Sequence, residues 1–176
     1  MKHKNLKLFS IVIFSLLFIF SASQNIFGQL TKVENKIPKN VPLKIEIKNY
    51  GSENWVKDLK IVVTNTGDKP IYLLNLNLIT DATAEDGYPL GFPFIYGNTD
   101  LSSIDELARE TDTSILPKKS YTFKVEKDFV DGWTLARAQG KYIEPQTAQL
   151  RLGWLSFGDG TGIKGGGTPY NYKKKT

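Results

Sequence analysis

The chain has 176 residues, of which 40% are hydrophobic and 23% charged, and it contains no cysteine. This composition is typical of an ordinary globular domain and excludes a disordered chain, a collagen and a disulfide scaffold. Its only histidine is His3. Because a Ser-His-Asp triad, a Cys-His pair and a thiolate-imidazole zinc site each need histidine or cysteine, the rest of the chain can form none of them.

Residues 1–23 have the three parts of a secretory signal peptide. A basic start is followed by 13 mostly apolar residues, Leu8 to Phe20, and then by Ser21-Ala22-Ser23. A membrane-spanning helix needs about 20 apolar residues, so this run is short for an anchor. We predict cleavage after Ser23 and an exported protein, periplasmic or extracellular, with no membrane span after cleavage. Retention of the apolar run as an anchor is the alternative.

Positive charge is concentrated at the two ends of the chain. The formal net charge is +5, but the signal contributes three lysines and no acid, and the basic tail, residues 171–176, contributes Lys173, Lys174 and Lys175. The remainder is close to neutral. Since nucleic-acid binding requires a clustered basic face, we expect no nucleic-acid partner.

Residues 24–42 carry two prolines and no sustained hydrophobic period, so they are predicted to be a leader before a domain spanning 43–170. Strict alternation of apolar and polar residues then predicts three strands within 43–50, 59–67 and 71–80. Thr66 to Pro70 is predicted to form a turn. The inward-facing positions are Leu43, Ile45, Ile47, Leu59, Ile61, Val63, Tyr72, Leu74, Leu76 and Leu78.

The second half of the domain is less regular. Ser103 and Glu106 have capping-box spacing, which predicts one or two helical turns through Arg109. Residues 120–130 alternate as a strand, with Tyr121, Phe123 and Val125 on one face, and 131–140 is predicted to be a short helix from Asp131 to Gly140. Residues 147–158 are predicted to form a strand with Leu150, Leu152 and Trp154 in the core and Leu155 and Phe157 on the second face. Five or more strands with short turns predict an all-β, antiparallel β-sandwich with one or two short helices in its loops.

Two segments are predicted to be contact loops: the aromatic stretch Tyr88 to Asn98 and the glycine-rich stretch Gly158 to Gly167. The first can instead be a lid on the core, and the second a flexible turn between strands. The candidate ligand or partner contacts are Tyr88, Phe92, Phe94, Tyr96, Asp159, Thr161 and Lys164.

Neither segment predicts a cofactor or a metal. Gly160, Gly162 and Gly165 have the spacing of a dinucleotide fingerprint, but Gly166, Gly167 and Pro169 prevent the helix that must follow it. Asp159 supplies one carboxylate where calcium needs six to eight oxygens. The sequence predicts no catalytic residue.

The tryptophans and the paired acidic residues leave two further functions open, which are sugar binding and carboxylate-based hydrolysis. Trp154 has the phase of a core residue, whereas Trp55 and Trp133 lie beside polar turns and are predicted to be exposed, where they could stack on a sugar. A hydrolase would need two carboxylates facing each other at about 5 to 9.5 Å. The acidic pairs are Glu85 with Asp86, Asp105 with Glu106, and Glu110 with Asp112.

Several segments resemble exported bacterial proteins with immunoglobulin-like β-sandwiches. LKIVVTNTGDKPIYLLNLNL (59–78) is similar to a strand pair of such modules, and ILPKKSYTFKV (115–125) is similar to a Leu-x-Pro turn and strand, with Lys118 where glycine is more usual. GFPFIYG (91–97) and LSFGDGTGIKGGGTPY (155–170) are also similar to segments of these proteins. The resemblance covers roughly Leu43 to Tyr170 and implies an immunoglobulin-like fold, but no activity, cofactor or catalytic residue.

Together these observations predict an exported, non-catalytic binding module for a protein or a glycan. The segment 59–78 is also similar to proteinase inhibitors with an immunoglobulin-like fold, although no inhibitory loop motif is present. A proteinase inhibitor and a carboxylate-based glycan hydrolase are the alternatives.

Overall fold

The structure is a computed structural model that describes residues 29–84, 87–103, 105–141 and 144–172. These residues form nine strands, two α-helices and two short 3-10 helices. The strands are β1 (Lys32–Asn35), β2 (Leu43–Lys48), β3 (Lys60–Asn65), β4 (Leu73–Thr83), β5 (Pro89–Gly97), β6 (Ser120–Lys124), β7 (Thr147–Ser156), β8 (Thr161–Lys164) and β9 (Thr168–Asn171). The helices are α1 (Trp55–Asp58) and α2 (Lys127–Ala138), and the 3-10 helices are Thr99–Ser102 and Gly165–Gly167.

The strands form two sheets around one hydrophobic core. The larger sheet has the order β5-β4-β7-β8-β9, with β1 beside β7, and the smaller sheet has the order β2-β3-β6. Each pairing is antiparallel except that of β1 with β7, which is parallel. The predicted all-β, mainly antiparallel class is therefore confirmed.

Most residues that the alternation placed inward belong to the core, but the prediction for Tyr72 is wrong, because Tyr72 is half-buried outside the core cluster. Ile61 and Val63 of β3 and Leu74, Leu76 and Leu78 of β4 are fully buried, because one face of each strand lies against the other sheet. An edge-to-face contact of Phe94 with Phe123 joins the two sheets, with ring centroids 5.9 Å apart. Leu43, Ile45 and Ile47 are half-buried at the margin of the same core.

The predicted leader contributes to the fold. β1 lies within it, and the Thr31 N–H donates to the Gln146 carbonyl at 2.8 Å. Leu30 is 1% exposed and Val41 4%. A short parallel pairing with a distant strand leaves no local period, which is why the sequence pattern did not reveal it. The predicted signal, residues 24–28 and Lys173 to Lys175 lie outside the described residues.

A β-bulge in β7 makes the prediction for Trp154 wrong. Asn75 pairs with Trp154 but Leu76 pairs with Leu152, so Gly153 is the extra residue. The bulge reverses the alternation, so Leu155 enters the core and Trp154 faces outward, half-buried. The indole Nε1 of Trp154 donates to the Leu101 carbonyl and to the Tyr170 hydroxyl, both at 3.1 Å.

The first predicted loop is mostly strand, and the second contains a short strand. Tyr88 to Asn98 contains β5, and Gly158 to Gly167 contains β8, which pairs with β7 and with β9. Edge strands accept proline, and turns between strands need glycine, so both segments have the composition of loops. The predicted helical turns from Ser103 to Arg109 are also wrong. The 3-10 helix ends at Ser102, and its N-cap is Asn98.

Helix α2 is the predicted short helix, but it begins four residues before Asp131. The predicted strand over 120–130 therefore ends at Lys124, and its last residues belong to the helix. Of the predicted inward residues, Phe123 is buried, Val125 is half-buried and Tyr121 is exposed. No helix of the described residues is long and apolar enough to cross a membrane.

A buried asparagine organises the turn between β3 and β4. Asn65 has no exposed surface. Its Nδ2 donates to the carbonyls of Lys69 at 2.8 Å and Ile115 at 2.9 Å, and its Oδ1 accepts from the Gly67 N–H at 3.0 Å. The side chain thus fixes the predicted Thr66 to Pro70 turn and joins it to the segment before β6.

Candidate functional site

Helix α2 covers the core next to strand β5 through a small number of aromatic contacts. Trp133 packs against Trp55 and Phe92, with ring centroids 5.4 and 5.6 Å apart. Val130 and Trp133 are partly buried against the core, yet none of the helix's twelve residues is fully buried. The helix is therefore anchored along one narrow line and leaves space on both sides.

The larger space is a groove of about 300 Å³ between α2 and β5, here called the α2/β5 groove. Seven of its eight lining residues carry no charge, and most of its surface is apolar. The lining residues are Leu90, Gly91 and Phe92 of β5 and Asp128, Phe129, Gly132, Trp133 and Ala136 of α2.

The groove is open to a ligand. Phe129 is 42% exposed, although its ring lies only 6.5 Å from that of Phe92. A Cβ atom added to Gly132 would meet no other atom within 4 Å. An apolar side chain entering the groove would thus cover aromatic surface that is now in water, which is favourable.

A smaller cavity, about 90 Å³, lies on the other side of α2. Trp55, which is 1% exposed, lines it, and its buried Nε1 has no hydrogen-bond partner among the described residues. Arg137 also lines it and holds Glu144, with Nε 2.5 Å from Oε1. This cavity has room for a few water molecules, which is the usual way to satisfy a buried donor.

A third cavity, about 190 Å³, lies on the outer face of the larger sheet near Asp81. The Asp81 carboxylate accepts from the backbone N–H groups of Gln146 at 2.9 Å and Thr147 at 3.0 Å, and from the Thr147 hydroxyl at 3.0 Å. These bonds tie β4 to the start of β7. Asp81 is therefore a structural residue.

The four aromatic candidates of Tyr88 to Asn98 do not form one surface. Phe92 and Phe94 alternate inward and are 4% and 3% exposed, so they belong to the core. Tyr96 is half-buried against Tyr121, with ring centroids 4.5 Å apart. Tyr88 is 72% exposed. Of these four, only Phe92 contributes to the α2/β5 groove, as its inner wall.

Asp159, Thr161 and Lys164 hold the hairpin of β8 in place. Asp159 accepts hydrogen bonds from the N–H and hydroxyl of Thr161, and Lys69 Nζ lies 2.8 Å from its other oxygen. Burial alone would raise the pKa of Asp159, but these bonds from Lys69 and Thr161 lower it below its usual value. Lys164 Nζ lies 5.0 Å from the ring centre of Trp154. The hydrogen-bonding groups of Asp159 and Thr161 are thus paired with each other within the turn.

The prediction that Trp55 is exposed is wrong. Trp55 begins α1, and its ring turns into the core, where it meets Phe92 edge to face at 5.5 Å. Trp133 is half-buried and lines the groove. Trp55 therefore offers no exposed face on which a sugar would stack.

Of the predicted acidic pairs, the two that the structure describes, Asp105 with Glu106 and Glu110 with Asp112, line none of the three cavities described above. Asp105 accepts from the Ser103 hydroxyl at 2.5 Å. Asp112 accepts from the Arg109 N–H at 2.9 Å and the Asn98 Nδ2 at 3.1 Å, and these bonds lower its pKa. Each of the three cavities described above is lined by a single carboxylate. Glu85 and Asp86 lie outside the described residues, and the rest form no cluster of three or more His, Cys, Asp or Glu side chains.

Of the groove residues on α2, the sequence analysis selected Trp133 alone, as an exposed residue that could stack on a sugar, and it missed the others. Phe129, Gly132, Trp133 and Ala136 follow the i, i+3, i+4, i+7 spacing of one helix face. This helical spacing is visible in the sequence, but the predicted strand over 120–130 includes Phe129, so the predicted helix from Asp131 does not contain it.

Comparison of the chain with protein-family models, with curated proteins and with solved structures finds no match. The function therefore has to be inferred from the geometry described above.

Proposed function

We propose that the protein is an exported, non-catalytic binding module with an immunoglobulin-like fold, and that the α2/β5 groove holds an apolar side chain of a partner protein. The observation that carries this proposal is the groove itself. It is open, about 300 Å³ in volume, and lined by aromatic and small residues with one carboxylate. Sites of this size with apolar walls and few polar groups are the usual form of ligand pockets.

The strand order supports the immunoglobulin-like part of the proposal. In such sandwiches, strands A, B and E share one sheet and strands C, F and G share the other, with C′ beside C in some types. Strands β2 to β8 can be taken in chain order as A, B, C, C′, E, F and G. The smaller sheet, β2-β3-β6, and the part β5-β4-β7-β8 of the larger sheet then have that arrangement, and β1 and β9 are additional strands beside β7 and β8.

Two observations favour binding over catalysis. Acid-base hydrolysis of glycosides needs two carboxylates across one site, whereas the groove contains Asp128 alone. The nucleophile-histidine pairs of many hydrolases require an imidazole, and the only histidine lies in the predicted signal. Export is supported by that same signal pattern.

We expect the purified protein to bind the fluorescein-labelled heptapeptide TQVFVQT and to bind TQVSVQT at least about tenfold more weakly, because serine cannot supply the buried phenyl surface. Gly132→Leu is expected to weaken TQVFVQT binding by a similar factor, since the new side chain fills the groove. Fluorescence anisotropy measures both effects.

Gly132→Leu should leave the fold intact, because the site is open and replacement of a helical glycine by leucine favours the helix by roughly 0.5 to 1 kcal/mol. Ala138→Leu, on an exposed position of the same helix, is the matched control and should bind like the wild type. Equal binding of both peptides, or equal effects of the two variants, would contradict the proposal.

A further inference from the structure

We infer that the partner segment is an extended strand that pairs with the free edge of β5 and carries a lysine or arginine beside its apolar anchor. This inference rests on the proposed function, because it concerns the ligand of the same groove.

The first step concerns the backbone of β5. Among the described residues, β5 lies at the end of its sheet and pairs with β4 alone. The other edge of such a strand presents N–H and C=O groups to which an extended peptide can add. β5 is also one wall of the groove, so a peptide held by this edge places alternate side chains next to α2.

The second step fixes where pairing can occur. Pro89 and Pro93 lie in β5 and have no N–H to donate. The Asn98 N–H donates to the Tyr72 carbonyl, and with the register of β4 and β5 this directs alternate residues of β5, Leu90 and Phe92 among them, toward β4. Of the part that lines the groove, Gly91 therefore presents both its N–H and its C=O to the free edge, between the outward carbonyls of Pro89 and Pro93. Pairing next to the groove is therefore short and centred on Gly91, where an anchor side chain can enter.

The third step concerns charge. Asp128 is the only charged residue that lines the groove. It is exposed and forms no ion pair among the described residues, whereas its neighbour Asp131 is already paired with Lys127. A cationic side chain two residues from the anchor lies on the same face of an extended segment as the anchor. It would therefore lie beside the unpaired carboxylate.

The experiment compares TKVFVKT, TQVFVQT and TEVFVET by fluorescence anisotropy at low salt. We expect the lysine peptide to bind about threefold more tightly than the glutamine peptide and the glutamate peptide to bind more weakly than both, in keeping with exposed ion pairs. Asp128→Asn should remove the advantage of the lysine peptide over the glutamine peptide.

Backbone pairing is tested with ester analogues of TKVFVKT, in which successive amide N–H groups are replaced one at a time. Because alternate N–H groups of a paired strand face the neighbouring strand, esters at one set of alternate positions should weaken binding about fivefold and those between them should not.

The outcomes separate the two proposals. Equal losses at all ester positions, or none at any, would overturn strand addition, and equal affinities of the three charge variants would overturn the basic ligand. Either result would leave the groove as the site if Gly132→Leu still weakens binding. Binding that is indifferent to Gly132→Leu would instead overturn the proposed function.

Discussion

Phe92→Ala is expected to lower the free energy of unfolding by about 3 to 5 kcal/mol, as truncation of a buried phenylalanine usually does. Phe92 is 4% exposed and its ring contacts those of Trp55 and Trp133 at 5.5 and 5.6 Å. Truncation would leave a cavity beneath α2, where the helix has few other anchors. Urea unfolding followed by circular dichroism measures the loss.

Tyr88→Ala is the matched control, because Tyr88 immediately precedes β5 and is 72% exposed. It should cost less than about 1 kcal/mol, as surface substitutions generally do. Losses of similar size for the two variants would show that Phe92 is not a core residue. That result would also contradict the assignment of Phe92 as the inner wall of the α2/β5 groove.

Asn65→Ala is the second large expected loss, at about 2 to 4 kcal/mol. The substitution removes three side-chain hydrogen bonds and leaves the Gly67 N–H and the carbonyls of Lys69 and Ile115 without these partners. A buried polar group left unpaired costs about 1 to 3 kcal/mol, and partial access of water at the turn reduces the sum. Thermal and urea unfolding both measure this change.

Asn77→Ala serves as the comparison for Asn65→Ala. Asn77 lies half-buried on the outer face of β4, where its Nδ2 makes one long bond of 3.3 Å to Asn75 Oδ1. We expect a loss below about 1 kcal/mol, since one weak and partly hydrated bond contributes little. An equal loss of unfolding free energy for Asn77→Ala and Asn65→Ala would show that the buried hydrogen bonds at the β3-β4 turn do not explain the loss at Asn65.

Much of the sheet structure could be predicted from local patterns. Strands β2, β3 and β4 each place one face in the core and the other outward, so the period of two is visible in the sequence. Asn65, at the end of β3, is the exception. Its burial depends on carbonyls of Lys69 and Ile115, and the latter lies fifty residues away in the chain, which no local pattern encodes.

The remaining errors have equally specific causes. β5 contains prolines and glycines because it is an edge strand, so composition alone favoured a loop. In β7 the extra residue Gly153 reverses the alternation, and it fits because a Cβ there would lie 2.9 Å from the amides of Asn75 and Asn77. The bulge therefore depends on two asparagine side chains that leave no room for a Cβ at position 153, and these residues meet only in the folded sheet.

The candidate site was only partly accessible to prediction. The sequence analysis selected Phe92 and the segment Tyr88 to Asn98 for their aromatic content, but it predicted that the segment forms a loop surface. In the structure most of the segment is strand β5. Sequence alone does not place Phe129 and Gly132 beside Leu90, because the groove forms only when α2 packs over the edge of the larger sheet.

The most direct test of the central claim is a nuclear magnetic resonance titration of ¹⁵N-labelled protein with unlabelled TKVFVKT. Binding in the α2/β5 groove predicts that the amide shifts concentrate at Leu90 to Phe92 and Asp128 to Ala136, with those of Thr161 to Lys164 unchanged. Shifts concentrated in the β8 hairpin, with the groove amides unmoved, would contradict it.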